Sequence, residues 1–451
     1  MDRGTQDLFF EKIISVLFVI AIFVPTYIVF NIGVNVSVRN IVCIIMLITI
    51  FYSVYTSNYT GKKLISFIMK SRTGMYIYAI MILEMFVADI LGGSPKQSIN
   101  LTIKYALYSA FIFAGMAAAN NNKVFYSIIK MILISYILFL FLCAIEFISN
   151  QYIIKTIGLD VIIDYMPDAA KKWATSQFAS NFRNGVLRTK IIFCHPIVYG
   201  QYMGAMAPIL LYYADRVKKN RFSMYVLFII ISLLAVYFSG SRSSYVVLMA
   251  SVFIYVFLNN ISGFSKKIQF TAYTVLAIFL LIFAINMFSN ISNILLFSNN
   301  KMDAMSNVYR YQMYLNAIEQ ISNAILFGYG DGNAVYKIGI WGGNGLTLDN
   351  YYLSCLLNFG FLGLFLLFSF LIYQYYRGML LILSKSTSIL IKQNIILCIS
   401  ISVSLMIGLF VLSIDDNMVY VFFSYGFIIM TVANVRNCNK YKKCIGNVPA
   451  S

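Results

Sequence analysis

Long apolar runs, separated by short polar connections, dominate the pattern of hydrophobic and polar positions along this chain. A helix crosses the hydrocarbon core of a bilayer, about 30 Å thick, when roughly 20 consecutive residues are mostly apolar. Such runs predict about twelve spans, at residues 12–30, 38–55, 75–91, 103–119, 123–148, 191–213, 222–238, 243–258, 268–288, 350–373, 389–413 and 416–434. We therefore expect an all-α, polytopic integral membrane protein that forms a single membrane domain over residues 1–451.

Composition supports a lipid environment for the chain. Hydrophobic residues make up 60% of it and charged residues only 11%, with a mean hydropathy of +0.80. Soluble globular domains carry roughly 25% charged residues. The first apolar run has no small-residue cleavage site after it, so we interpret it as a retained helix and not as a secretory signal.

The net charge of +18 is concentrated in connections that alternate between the two sides of the predicted bundle. An excess of Lys and Arg is typical of cytoplasmic loops, and with the N-terminus inside, the inner loops and tail hold Lys62, Lys63, Lys70, Arg72, Arg216, Lys218, Lys219, Arg221, Lys266, Lys267, Arg377, Lys385, Arg436, Lys440, Lys442 and Lys443. The charge therefore indicates topology, with both termini cytoplasmic, and not nucleic-acid binding. No Walker loop, D-x-D motif, metal-ligand spacing or disulfide framework is evident, so we expect no nucleotide-sugar donor, metal or cofactor.

Two outer connections, residues 149–190 and 289–349, are much longer than the others. Loops of that length are usually functional or disordered. In the second, apolar residues recur at helical spacing after Ser306 and Asn307 and stop before the glycines of GYGDG: Val308, Tyr311, Leu315, Ile318, Ile321 and Ile325. We expect an amphipathic helix on the bilayer face there, and similar interfacial segments in the first loop.

Two outer arginines are candidates for anion binding. Arg242 lies in the tight turn SGSRSS, where small residues leave room for a ligand; the alternative is an arginine that reaches lipid head groups from a helix end. Arg310 is expected to open the loop helix, and its alternatives are a solvated helix face or an ion pair with Asp303. A pair of guanidinium groups suits a diphosphate, because each planar fork donates two hydrogen bonds to phosphate oxygens.

Two further residues are candidates for proton chemistry. His195, in FCHPIVYGQY, is the only histidine, and it either contacts the substrate or ends the local structure before Pro196. Asp349 precedes the span at 350–373, where a carboxylate either caps the helix or acts on a substrate.

Three stretches, in this order, resemble the O-antigen polymerase (Wzy) and O-antigen ligase superfamily: YFSGSRSSYVVLM, LFGYGDGNAVY and LDNYYLSCLLNFGFLGLFLLF. Proteins of that superfamily share a polytopic helical fold and an S-R-S/G turn. They also share an outer helix opened by an arginine and ending in G-x-G, and an H/D-N-x-Y/L element followed by G-x-x-G. The resemblance covers residues 183–373.

The resemblance implies an inverting, metal-independent glycosyltransferase at the outer face of the bacterial plasma (inner) membrane. The donor would be a sugar chain on polyprenyl pyrophosphate, such as undecaprenyl pyrophosphate. The acceptor would be a hydroxyl of another lipid-linked repeat unit of O-antigen or capsular polysaccharide, and a chain-length regulator is a candidate partner. Arg242 and Arg310 would neutralise the departing pyrophosphate and Asp349 would be the base. The expected substrate contacts are Arg188, His195, Asp331, Asn350 and Tyr351.

Asp349 stands where ligases of this superfamily usually carry histidine, and this departure favours a polymerase over a ligase. A carboxylate with an ordinary pKa near 4 is a poor base towards a sugar hydroxyl. Either Asp349 orients the acceptor while His195 takes the proton, or no strong base is needed. A ligase is the nearer alternative function. A lipid-linked oligosaccharide flippase is more distant, because no internal repeat is evident.

Overall fold

A computed structural model describes most of the chain as a bundle of long helices. The described residues are 3–25, 28–31, 35–56, 71–92, 95–156, 166, 171, 175, 182–183, 186–217, 221–261, 301–322, 325–331, 333, 340–342, 345–385, 387–410 and 414–445.

Helices account for nearly all the regular structure in these ranges. They are α1 (Arg3–Phe23), α2 (Val38–Thr56), α3 (Arg72–Leu91), α4 (Pro95–Asn120), α5 (Asn122–Ser149), α6 (Ile153–Thr156), α7 (Pro196–Val217), α8 (Arg221–Phe238), α9 (Arg242–Ile261), α10 (Lys301–Ile321), α11 (Tyr351–Leu383), α12 (Ile389–Gly408) and α13 (Met418–Ile445). Three short antiparallel hairpins pair β1 (Val29–Asn31) with β2 (Asn35–Ser37), β3 (Phe182–Arg183) with β4 (Val186–Leu187), and β5 (Ile340–Gly342) with β6 (Gly345–Thr347).

The predicted all-α, polytopic membrane fold is confirmed. In the described part, seven helical segments are long and apolar enough to cross a membrane: Arg72–Leu91, Leu101–Asn120, Asn122–Ser149, Arg242–Asn260, Tyr351–Leu383, Ile389–Gly408 and Met418–Val435. Shorter apolar helices are Lys12–Phe23, Val38–Tyr52 and Phe222–Phe238. Eleven of the twelve predicted spans overlap a helix. The other, at 268–288, lies outside the described residues, as does part of each of the two long loops.

Contacts between helix ends fall into two groups, which define two poles of the bundle. At one pole α2 and α4 begin beside the start of α13, and an ion pair of 3.8 Å joins Arg39 to Asp416 there. The thiol of Cys194 also donates to Asp416, at 3.1 Å. We call this end the site pole, because the candidate residues gather there. At the opposite pole, the hydroxyl of Tyr425 donates to the carbonyl of Gly74, at 2.7 Å.

The predicted loop helix is present as α10, but it begins earlier than the capping pattern indicated. It starts at Lys301, so Ser306, Asn307 and Arg310 lie inside it. The prediction that Arg310 opens the helix is therefore wrong. The apolar stripe is largely exposed, as a membrane-facing surface would be: Val308, Tyr311, Leu315 and Ile318 are 45–66% exposed.

The opposite side of α10 packs on the start of α11. Met313 and Ala317 are buried there against Leu348 and Leu357. This small cluster is separate from the main core, which fills the bundle with Tyr, Phe, Ile and Met side chains. Packing on α11 thus places the loop helix at the site pole.

Candidate functional site

The turn that carries Arg242 connects α8 to α9 and is held by a segment from the first long loop. The Nε atom of Arg188 donates to the carbonyl oxygen of Ser239, at 3.2 Å. The next residue, Thr189, donates to the carbonyl of Phe238 through both its backbone N–H (3.1 Å) and its hydroxyl (2.9 Å). Gly240 has φ = +59°, a conformation that favours glycine, and faces the side chain of Arg188. Arg242 itself is exposed and begins α9.

A buried carboxylate in α5 fixes the loop segment that holds this turn. Glu146 is fully buried, and its two carboxylate oxygens accept hydrogen bonds from the backbone N–H groups of Ile153, Lys190 and Ile191, each at 3.1 Å. The Nζ atom of Lys190 lies 4.8 Å from the centre of the Tyr152 ring, within the range of a cation–π contact. Lys190 and Arg188 are therefore held close to the turn of Arg242.

The small residues around Arg242 have a different role from the one expected. Ser239, Ser241 and Ser244 are at most 3% exposed. They pack against α7, where a Cβ on Gly200 would lie 2.2 Å from the Ser244 hydroxyl oxygen and 2.5 Å from that of Ser239. The serines therefore permit close packing of helices instead of leaving room beside the guanidinium.

His195 lies directly before α7 and next to the basic residues. Burial, Arg188 and Lys190 lower the pKa of His195 to about 4, so its imidazole is neutral near pH 7. Its Nδ1 atom accepts the backbone N–H of Ile197, at 3.1 Å. Nδ1 therefore carries no proton, and the neutral ring carries its proton on Nε2. His195 can donate a hydrogen bond from Nε2 but cannot take up a proton there.

The two glycine motifs of the sequence dock onto each other. Helix α11 is interrupted at Gly360, where φ is +66°, and the segment 325–330 inserts into the break. Four backbone hydrogen bonds join the two elements: Tyr329 N to Leu357 O (2.8 Å), Gly330 N to Asn358 O (2.9 Å), Phe361 N to Ile325 O (2.8 Å) and Leu362 N to Leu326 O (3.3 Å). Broken helices of this kind occur in membrane proteins at buried or cavity-lining sites.

The docked segment ends at Asp331, beside an acid from α3. The backbone N–H of Asp331 donates to Oδ1 of Asp89, at 2.9 Å, and the hydroxyl of Thr102 donates to Oδ2 of Asp89, at 2.6 Å. Asp89 is fully buried, whereas Asp331 is half-buried. Burial and the negative charge of Asp89 raise the pKa of Asp331 to about 7.

In the motif Asp349–Tyr351, the side chain of Asn350 makes the structural contacts. It caps α11 by accepting a hydrogen bond from the N–H of Leu353, at 3.0 Å, and it donates one to the hydroxyl of Tyr314, at 3.0 Å. The cap is therefore Asn350, and the alternative that Asp349 caps the helix is wrong. Asn350 and Tyr351 are 2–3% exposed, and Tyr351 bonds to the hydroxyl of Tyr105, which favours structural roles over direct substrate contact. Asp349 is half-buried.

The structure brings α10 against Asp349. The backbone N–H of Asp349 lies 3.3 Å from the sulfur of Met313, one turn after Arg310 in the helix. The side chains of Arg310 and Asp303 lie outside the described residues. The ion pair considered between them therefore stays untested.

Sequence reasoning missed a second charged group at the site pole. Lys104 and Asp415 form an ion pair with Nζ and Oδ1 2.5 Å apart, and Asp416 pairs with Arg39. Lys104 and Arg39 lie in apolar helices, where ionisable residues are functional candidates by default, so a signal was present.

Comparison with known proteins agrees with the motif resemblance. Residues 202–368 match the model of a family described as O-antigen ligase. This segment contains Arg242, Arg310, Asp331 and Asp349, and it begins after Arg188 and His195. No curated protein matches the sequence. The match covers less than half of the chain and supports a relation to the O-antigen polymerase and ligase superfamily.

Proposed function

We propose that this chain polymerises polyprenyl-pyrophosphate-linked oligosaccharide repeat units of O-antigen or capsular polysaccharide at the outer face of the plasma membrane. The observation that carries the proposal is the position of Arg242. It is exposed at the start of α9, in a turn anchored to Arg188, at the pole where Lys190 and His195 also lie.

In this reaction a sugar hydroxyl attacks the anomeric carbon of the donor, and the bond to the pyrophosphate breaks. Negative charge grows on the departing oxygen, so fixed cations near it lower the barrier. Arg242 supplies a guanidinium fork for two phosphate oxygens, and Arg310 is the candidate for the second fork. Arginines in this position replace the charge that a metal ion supplies in other transferases.

Two further predicted contacts acquire distinct roles. Arg188 uses its Nε–H to hold the turn of Arg242, so it acts as a positioning residue. His195 offers the proton on Nε2 as a hydrogen-bond donor, which suits a phosphate or sugar oxygen and not the removal of a proton. Of the two bases considered from the sequence, His195 is therefore unsuited to take the proton.

The proposed orientation rests on charge. The opposite pole carries the ends of α7 and α11 and the starts of α3 and α8, where Arg72, Arg216, Arg221 and Arg377 lie. The positive-inside bias then puts that pole in the cytoplasm. The site pole faces outwards, where lipid-linked repeat units would be joined.

A ligase is the second candidate function, because the matched family is described as O-antigen ligase. A ligase would transfer the finished chain to a different lipid acceptor. The aspartate at position 349, where ligases usually have histidine, favours the polymerase. The lipid-linked glycans that accumulate in cells lacking the gene distinguish the two functions. Loss of a polymerase leaves single repeat units on the lipid, whereas loss of a ligase leaves long chains there.

The test of the proposed role uses Arg242→Lys and Arg242→Ala, expressed in cells that lack the gene. If the guanidinium binds phosphate as a fork, Lys keeps the charge but loses the geometry, and polymer should fall nearly as far as with Ala. If Arg242 only reaches head groups, Lys should work as well as Arg. Arg72→Lys and Arg72→Ala, at an exposed arginine of the opposite pole, are matched controls. Well-inserted Arg242 variants that both polymerise at the wild-type rate contradict the assignment.

A further inference from the structure

We propose that the carboxylate of Asp331 is the base that takes the proton from the attacking sugar hydroxyl. The inference rests on the proposed glycosyl transfer, and it gives Asp331 the role of base that the family resemblance assigned to Asp349. In this step the O–H bond of the acceptor breaks and its proton moves to Asp331. The oxygen forms a bond to the anomeric carbon, and the electron pair of the broken C–O bond leaves with the pyrophosphate.

The backbone around Asp331 is fixed before any substrate binds. The preceding residues, Tyr329 and Gly330, are bonded into the break of α11. Asn333 donates from its side-chain Nδ2 to the carbonyls of Gly92 (3.2 Å) and Tyr329 (2.8 Å). With Asp89 accepting the N–H of Asp331, two elements, α11 and the end of α3, hold this turn. A base held in place in this way needs little reorganisation on reaction.

Asp331 is also the most accessible of three neighbouring acids, Asp89, Asp331 and Asp415. Asp89 is fully buried and Asp415 is 6% exposed, and one oxygen of Asp415 is paired with Lys104. Both oxygens of Asp89 accept hydrogen bonds from the protein. Asp331 is half-buried, so it is the one of these three acids that is open to a substrate, although its carboxylate also accepts a hydrogen bond from the backbone of Leu101.

Glu84, which precedes Asp89 in α3, is an independent feature of this region. It is 5% exposed, and within the described part of the chain neither of its carboxyl oxygens has a hydrogen-bond partner. It interacts electrostatically with Asp89, as Asp89 does with Asp331. A carboxyl group without partners inside a membrane bundle indicates function by default. Glu84, Asp89 and Asp331 thus form a series of acids from the interior of the bundle to the site pole.

The charged and titratable groups that face Asp331 set its proton affinity. Burial and the charges of Asp89 and Asp415 raise the pKa of Asp331, a hydrogen bond from the backbone of Leu101 and the charge of Lys104 lower it, and the result is about 7. The thiol of Cys355 also interacts with Asp331. A base is most effective when its pKa lies near the working pH, and an ordinary carboxylate near 4 is too weak. The raised pKa of Asp331 meets this requirement.

The experiment measures single-turnover polymerisation by the full-length protein in detergent, with lipid-linked repeat units extracted from cells that lack the gene. The wild-type rate should rise with pH and level off above a midpoint of about 7. Asp331→Asn should lose about 100-fold to 10,000-fold at every pH, the usual contribution of a general base. Glu319→Gln, an acid-to-amide change at an exposed position of α10, is the matched control.

A second variant separates the chemical role from folding. Asp89→Asn keeps an oxygen for the N–H of Asp331 but removes the neighbouring charge. The midpoint of the pH profile should then move to lower pH, with activity largely kept above it. An Asp331→Asn protein as active as the wild type, or an unmoved midpoint in Asp89→Asn, overturns the role of Asp331. If either result is obtained while Arg242→Ala is inactive in the same assay, only the role of Asp331 is overturned and the proposed polymerase function stands. A wild-type protein that joins no repeat units overturns both.

Discussion

Arg188 donates a hydrogen bond from Nε to the carbonyl oxygen of Ser239, which lies 51 residues later in the chain. This contact ties the end of the first long loop to the turn that presents Arg242. The neighbouring Thr189 adds two hydrogen bonds to the same turn, and Glu146 holds Lys190 and Ile191 behind it. The position of Arg242 thus depends on a buried carboxylate and a loop, as well as on its own helix.

Gly240→Ala should disturb this arrangement. At φ = +59° an L side chain is strained, and a Cβ would lie 3.1 Å from Cγ of Arg188. The strain is roughly 1–2 kcal/mol, and relief of it would shift the turn. We expect polymer formation to fall at least severalfold while the protein still inserts and melts cooperatively. Normal chain lengths in cells expressing the variant at the wild-type level would show that the turn tolerates the change.

Gly360→Ala and Gly328→Ala should disrupt the junction between the two glycine motifs. A Cβ on Gly360 would lie 2.1 Å from the carbonyl oxygen of Leu326, and one on Gly328 would lie 2.4 Å from the backbone of Asn358. Backbone atoms cannot move aside as flexible side chains can, so we expect each variant to lose more than about 2 kcal/mol. The melting temperature of the detergent-solubilised protein measures this loss.

The matched control for these two variants is Gly378→Ala, in the same helix α11. There the added Cβ meets the end of the Ile399 side chain, at 2.8 Å, which can rotate away. Equal melting temperatures for Gly360→Ala and Gly378→Ala would mean that the break in α11 does not depend on glycine.

The pair between Lys104 and Asp415 is partly buried, because the side chain of Lys104 is 25% exposed and that of Asp415 is 9% exposed. Removal of one partner, as in Lys104→Met, leaves Asp415 without this cation and should cost roughly 1–3 kcal/mol. The double variant Lys104→Met with Asp415→Asn leaves no charge and should recover most of this loss. Thermal melts of the two single variants and the double variant measure the coupling. Additive losses would show that the two residues act independently.

The proposed orientation predicts which cysteines meet a reagent that cannot cross the membrane. Single cysteines introduced at positions 160 and 335, in the two long loops, should react with impermeant maleimide in intact spheroplasts, whereas native Cys444 should not. Background labelling should be low, because the five cysteines whose side chains are described are buried. Protection of both loop positions in an inserted protein would reverse the orientation.

Much of the fold could be predicted because lipid imposes a simple length rule on apolar helices. Helix ends were less predictable. Asp349 and Asn350 are both good capping residues, and only the register of α11 decides that Asn350 accepts the N–H of Leu353. The start of α10 at Lys301 escaped the capping pattern because residues 301–307 have no apolar periodicity.

The chemistry of the site was harder to predict, since it depends on contacts between distant residues. Arg242 and Arg188 were identified from their positions, but their connection through Ser239 was not. Arg39 and Asp416 are separated by 377 residues and Lys104 and Asp415 by 311, so no local pattern pairs them. The value of Asp331 as a base depends on Asp89, which a sequence alone does not place beside it.

The central claim is that this chain joins lipid-linked repeat units, and reconstitution tests it most directly. Purified wild-type protein and Arg242→Lys are placed in separate lipid vesicles with single repeat units on polyprenyl pyrophosphate, in buffer containing EDTA. The account predicts that the wild type converts single units into a ladder of longer chains that stay on the lipid. Arg242→Lys should leave the units unextended. Single units unchanged by the wild type, or a ladder that forms only after magnesium is added, would contradict the account.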